Sequence, residues 1–266
     1  MRVFRYRRSQ QSDVLHFCPV CNQARDTFAN GPGGRPNARC DLCQSLERHR
    51  YLALLLESFR DDIVSSQHLL EIAPTPSVTR LLRGISGGTY VGVDVDPSAD
   101  GRRVQVIADL CMAPFPDGIF DTSVCFHVFE HIPNDVVAMR EYARLLAPKG
   151  IGFIQNPWRA GSRTDEDPSA PTDERIRRFG QADHVRMYGS DFEDRLRFVG
   201  LRPRRLMPES VVRDDLIDVM GIQRNVPIWV VCGALSSYAP LSDNDFAARV
   251  RKGIDAYLAG PRVPVS

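Results

Sequence analysis

Four cysteines stand in two pairs, Cys18 and Cys21 in "CPVC" and Cys40 and Cys43 in "CDLC". Each CxxC places two thiolates on one tight knuckle, and two knuckles close a tetrahedral set of four sulfur ligands, the donor set of structural zinc sites. Four protein ligands leave no position for a catalytic water, so the spacing predicts a zinc ion with a structural role. Acidic residues follow at the ends of short apolar runs: Glu71 in "HLLEIAPTPS", Asp94 in "GVDVDP" and Asp109 in "IADL". A carboxylate at Asp94 can accept both hydroxyls of a ribose, and one at Asp109 suits the amino group of an adenine. Histidines gather further on, His127 and His131 in "HVFEHIP" and His184 in "DHVRMYG". A neutral imidazole can take the proton of a hydroxyl or amine as it attacks an electrophile, so these three are candidate catalytic residues. The alternative is that "HVFEHIP" only packs and caps a helix, and that Arg186 and Tyr188 beside His184 are structural.

The elements that must position these groups alternate between apolar runs and helical periodicity, a pattern that argues for βαβ units around a parallel sheet. Strands are expected at 68–73, 89–94, 103–108, 121–126 and 151–155, with two more near 201–206 and 226–233. Helices are expected at 77–84, 134–146 and 189–199, and one opens at Ser45, where Leu46, Arg50, Leu52, Leu55, Leu56 and Phe59 suit an amphipathic helix. One helical turn would put His127 and His131 on a shared face. Residues 159–173 read as a lid-like loop in which Glu166 and Asp167 face solvent, and Arg186 would pair with the acids of "DFED". The tail after Ser242, a candidate N-cap, reads as helical. Cys111, Cys125 and Cys232 read as small buried residues rather than reactive thiols.

The run "LEIAPTPS", "GVDVDP", "ADLCMAPFPDGIFD", "HVFEHI" and "RLLAPKG" resembles the class I S-adenosylmethionine-dependent methyltransferases of the methyltransferase domain 11 type, over about residues 68–157. The CxxC pairs with "SLERHR", "TDEDP" and "FGQADHVRMYG" are similar to a bacterial subgroup with an N-terminal zinc knuckle. The resemblance implies an α/β fold with a Rossmann-like, mostly parallel sheet of seven strands behind a small zinc-knuckle module. It also implies S-adenosyl-L-methionine as cofactor, contacted by Glu71, Ala73, Thr75, Asp94, Asp109, Leu110 and Phe126. One departure is plain. Ala73, Thr75 and Ser77 fall where the family carries glycines, while Pro74 and Pro76 remove two amide donors and stiffen the turn.

The chain has 266 residues, 43% apolar and 25% charged, enough for one large domain and an appendage. Residues 1–60 are expected to form the zinc module and its linking helix, 61–238 the methyltransferase domain, and 239–266 a helical tail. Seven cysteines without a secretory leader point to a cytoplasmic setting, with thiols used for metal or packing. No apolar run approaches the roughly 20 residues of a bilayer span. Ten arginines against five acids give residues 1–60 a net charge of +5, so the other 206 residues carry −4 within the overall +1. An acidic body is a poor general binder of phosphate backbones, and the expected acceptor is therefore a small molecule, methylated on a heteroatom, oxygen ahead of nitrogen. The rival readings are an RNA methyltransferase gripping RNA through the zinc module, and a scaffold that kept the fold but lost the cofactor. A homodimer is an open expectation.

Overall fold

The computed structural model describes residues 16–98 and 104–260. The basic stretch at 1–15 and the first residue of the strand expected at 103–108 lie outside them. The chain divides into two compact units, the first comprising residues up to 60 with 207–225 and 247 onward, the second 61–206 with 226–246.

In the first unit an antiparallel hairpin pairs His16–Cys18 with Gln23–Arg25. Helix α1, Glu47–Ser58, follows, and residues Tyr51 to Leu56 along it are all buried. Arg50 on this helix is fully buried and ties the unit together. Its guanidinium donates to the carbonyls of Ala38 and Ser45, both at 3.1 Å, of Met220 at 2.5 Å and of Gly221 at 2.6 Å, and it lies 4.0 Å over the Phe28 ring. Gly221 is required there. It has φ +56°, and a β-carbon would meet Phe28 at 2.8 Å and the Arg50 guanidinium at 2.9 Å.

The second unit is built on seven strands: β1 His68–Ile72, β2 Thr89–Asp94, β3 Val106–Ile107, β4 Phe120–Phe126, β5 Leu146–Gln155, β6 Arg202–Leu206 and β7 Ile228–Cys232. Their order is β3-β2-β1-β4-β5-β7-β6, parallel from β3 to β5, with β7 antiparallel to β5 and β6 antiparallel to β7. The α/β class and the seven-stranded, mostly parallel sheet are as expected. Strands β1 and β7 read as nearly unbroken apolar runs because both faces of a central strand are covered. Chain order reverses between β1 and β4, so the loops at their carboxyl ends diverge and open a crevice, the place where open α/β sheets take ligands.

Helix α2, Pro76–Ile85, starts directly after β1, with Thr75 as N-cap accepting from the Val78 amide and Pro76 at the first helical position. Helix α3, Asp135–Leu145, is capped by Asn134. Beyond β5, Asp165–Glu166 pairs antiparallel with Arg186–Met187, and helices α4, Thr172–Phe179, and α5, Phe192–Phe198, complete the segment. Ser242 does cap the last helix, Asp243–Ala259, accepting from the Asp245 amide at 3.2 Å. Two expectations need correction. Strand β3 spans two residues, because at Gln105 the side-chain oxygen takes the Gly92 amide in place of a regular ladder bond. The loop at 159–173 is pinned by the short strand pair instead of lying open. No described helix is long and apolar enough to cross a membrane.

Candidate functional site

In the first unit the sulfurs of Cys18, Cys21, Cys40 and Cys43 lie within 4.8 Å of one another, with Cys18 to Cys43 at 3.6 Å and Cys21 to Cys40 at 3.9 Å. Tetrahedral ligands about 2.3 Å from zinc are roughly 3.8 Å apart, so the sulfurs stand at the spacing such an ion needs. The backbone makes the knuckles alike. The residue after each second cysteine, Asn22 or Gln44, is in the left-handed region at φ 55° and 60°. Cys111, Cys125 and Cys232 are elsewhere; Cys111 is only half-buried, against expectation. Burial raises all three thiols, those of Cys111 and Cys232 to about 11, which keeps them protonated and inert.

At the carboxyl edge of the sheet, β1 runs into the turn Ala73–Pro74–Thr75. Ala73 adopts φ 53°, a left-handed conformation that glycine would take without steric cost. Glu71 braces this turn: Oε1 accepts from the Thr75 amide at 2.6 Å, and Oε2 accepts from the Thr79 hydroxyl at 2.8 Å and the Tyr90 hydroxyl at 2.6 Å. The buried carboxylate therefore holds the loop and the start of α2 in place. Burial and the neighbouring Glu71 charge push the Tyr90 phenol well above its ordinary value, so Tyr90 stays a donor. Sequence reading missed Thr79 and Tyr90, since neither stands in a recognisable motif.

Asp94 ends β2, 9% exposed, with Oδ1 accepting from the Asp96 amide at 3.0 Å. Asp109 follows β3 and caps a short 3-10 turn, Leu110–Met112, accepting from the Cys111 amide at 2.8 Å. Leu110 is buried, whereas Val95 and Met112 beside the two carboxylates are 65% and 81% exposed. Phe126, the last residue of β4, is buried.

The histidines do not share a helical turn as expected. His127 is left-handed at φ 55°, and His131 ends a separate 3-10 turn, Phe129–His131. Glu130, fully buried, lies at the centre. His127 Nδ1 donates to Glu130 Oε1 at 3.0 Å, and the Asn156 amide, turned so that its nitrogen faces Glu130, donates to Oε2 at 3.0 Å. A carboxylate partner at Nδ1 fixes the proton there and leaves His127 Nε2 as an acceptor on a side chain 31% exposed. His131 Nδ1 is 3.1 Å from Asp183 Oδ2. His184 is 2% exposed, with Nδ1 bonded to the Phe179 carbonyl at 3.0 Å, and burial lowers its proton affinity. His127 and His131 are both partly exposed with Nδ1 against a carboxylate, but the partner of His127, Glu130, is fully buried, whereas that of His131, Asp183, is 67% exposed. Asn156 was not anticipated, although it directly follows β5 in "FIQNPW".

Arg186 and Glu166 also differ from expectation. Directly opposite one another in the short strand pair, they bond at 3.2 Å, while Arg186 donates to the carbonyls of Phe129 and Ile132, both at 2.6 Å, and of Pro133 at 2.8 Å. Glu166 is gripped further by Arg195 at 2.7 Å, and Arg195 also meets Asp135 at 3.0 Å. The partners of Arg186 are thus Glu166 and Asp135, not the acids of "DFED", and Tyr188 donates to Asp135 at 2.7 Å. The cross-strand register explains the pairing.

Residues 70–154 match the family model described as "Methyltransferase domain". No curated protein matches the chain. Among solved structures, the YcgJ protein of Bacillus subtilis is 16% identical with a TM-score of 0.47, covering 69% of this chain and 99% of its own. An S-adenosylmethionine-dependent methyltransferase from Mesorhizobium loti is 14% identical with a TM-score of 0.47, covering 69% and 96%. At those values neither likeness bears on what this chain acts upon.

Proposed function

We propose that this chain, whose residues 70–154 match a methyltransferase-domain model, transfers methyl from S-adenosyl-L-methionine to a heteroatom of a small acceptor, with zinc as a structural ion. The observation that carries the reading is the placement of Glu71, Asp94 and Asp109 at the ends of adjacent strands β1, β2 and β3, beside the His127–Glu130 pair at the end of β4. The cofactor supplies a sulfonium that makes its methyl group electrophilic, so the protein's task is chiefly to hold two partners in line.

Asp94 accepts the ribose hydroxyls, and Val95 and Met112 offer the apolar faces that a purine needs, with Asp109 at its amino edge. Ala73 and the amino end of α2 face the amino-acid end, and Glu71 acts by holding that turn. Phe126 and Leu110 fill the floor. On the acceptor side, His127 Nε2 takes the proton as the acceptor's lone pair bonds to the methyl carbon and the carbon–sulfur electrons return to sulfur. Glu130 stabilises the imidazolium that results. His131 and His184 stand behind this pair, and the buried His184 supports the segment it belongs to. The sulfur cluster of the first unit has the donors, number and spacing for zinc, and no open position for chemistry.

Titration calorimetry with S-adenosyl-L-homocysteine tests the reading. Removing charge-assisted hydrogen bonds of about 1.5–3 kcal/mol in Asp94→Ala should weaken binding at least about tenfold. An affinity unchanged by the substitution, or no binding by the unaltered chain, would remove the cofactor from this edge.

A further inference from the structure

Among the described residues, side chains able to hold a metal ion gather in two places: the four cysteines, and Glu130 with His131 and His184, whose donor atoms lie within 4.8 Å of one another. We propose that this second group is a binding site for a first-row divalent transition metal of the zinc class, which clasps the segment carrying His184 to the turn that follows β4.

A metal-ligating imidazole gives one nitrogen to the ion and its other N–H to a carbonyl or carboxylate that fixes tautomer and ring orientation. Both histidines are arranged this way. His184 Nδ1 is held by the Phe179 carbonyl at 3.0 Å, and His131 Nδ1 by the Asp183 carboxylate at 3.1 Å, so each keeps the Nε2 lone pair for a ligand. The rings meet edge to face, centroids 4.7 Å apart. His184 Nε2 is shielded from solvent and has no hydrogen-bond partner, although the residue is 2% exposed. Buried polar atoms in folded chains are seldom left so, and an ion at this nitrogen removes the anomaly.

Glu130 supplies the third donor. It is fully buried and oriented by His127 and Asn156, each of which occupies one lone pair of a different carboxylate oxygen and leaves another. Two imidazoles and a carboxylate suit zinc, cobalt or ferrous iron better than magnesium or calcium, which prefer all-oxygen shells. Tetrahedral N and O ligands at about 2.1 Å stand roughly 3.4 Å apart, so donors within 4.8 Å of one another need to draw in by at most about 1.4 Å. Of the three ligands, His131 is the one with solvent access, its side chain being 33% exposed. Such an ion would lock a junction that the backbone already makes, since the Val185 amide donates to the Glu130 carbonyl at 2.9 Å.

The two sites differ in donor chemistry, and cobalt distinguishes them. The full chain, stripped of metal and titrated with Co²⁺, should take up two equivalents, one with intense thiolate charge-transfer absorption and one with only the weak bands of a nitrogen and oxygen site. His184→Ala should abolish the second equivalent. His131→Ala, at a partly exposed position, should weaken it by at least about 100-fold, and Asp183→Asn by about 10–100-fold, with the thiolate absorption unchanged. A single equivalent at saturation in the unaltered chain, or a second one indifferent to both histidine substitutions, overturns the proposal and leaves His184 with a buried water or with nothing. Metal uptake is read without turnover, so the outcome does not depend on the methyl-transfer reading.

Discussion

Ala73 and His127 share an unusual property, a left-handed backbone at the carboxyl end of a strand, φ 53° and 55°. Neither is glycine, so the surrounding structure must hold each against a steric cost of about 1–2 kcal/mol. At Ala73 the holding groups are visible: the Ala73 amide bonds to the Val93 carbonyl at 2.8 Å, and Glu71 grips Thr75 two residues on. Ala73→Gly should therefore leave the denaturant midpoint unchanged or raise stability by up to about 1 kcal/mol, whereas Ala73→Val, β-branched in that conformation, should lose at least about 1 kcal/mol. Equal midpoints for the two variants would show that the turn carries no strain. At His127 the conformation aims an imidazole backed by Glu130. His127→Ala should lower kcat by roughly 10²–10⁴ with cofactor affinity nearly intact, because Asp94 and Asp109 lie on other strand ends. A loss under about tenfold, with no histidine-like step in the pH profile, would mean that positioning does the work.

Among the elements, the segment from β5 to α5 was the least legible. A two-residue strand pair carries no period at all, and its stability comes from charge. Glu166 reads as a solvated loop residue because its partners, Arg186 and Arg195, lie 20 and 29 positions away. Long-range pairing of that kind leaves no local trace in a sequence. The same network makes a pH prediction. The hydrogen bond from Arg195, with help from Arg186, holds the Glu166 carboxyl below its ordinary value of 4.5, and Arg178 does likewise for Asp165. A depressed folded-state value means that the stabilisation is complete above the ordinary value and is lost as pH falls through the lowered one. Amide exchange over residues 165–188, corrected for intrinsic rates, should show protection that is flat near neutrality and declines below about pH 4.5, with a weaker decline in Glu166→Gln. Protection independent of pH down to about pH 3 would contradict the role given to these pairs.

At the scale of the whole chain, motif spacing revealed the sheet, the cysteine module and the carboxyl-edge carboxylates, because each follows from local pattern. It did not reveal that residues 207–225 and 247 onward belong with the cysteines in one unit. The reason is Arg50, whose place among the residues of the amphipathic helix is legible but whose partners Met220 and Gly221, 170 and 171 positions distant, are not. Between residues 16 and 45 the buried apolar residues other than cysteines are Pro19, Val20, Phe28 and Ala38, too few to make a core. In the zinc-bound form proposed above, the thiolate cluster supplies the order of this segment, and its negative charge offsets the buried guanidinium. Zinc bound by such a set contributes of order 10 kcal/mol to folding in small modules. Chelation, or Cys18→Ser, should expose to exchange both the cysteine segment and residues 207–225, since the Arg50 bonds to Ala38, Ser45, Met220 and Gly221 depend on one another. Arg50→Met should release the 207–225 amides while the metal stays bound, because all four sulfurs come from residues 18–43. Protein purified without chelators that contains no stoichiometric metal, or chelation that leaves protection over 207–225 intact, would sever the link drawn between the thiolate cluster and the distant chain.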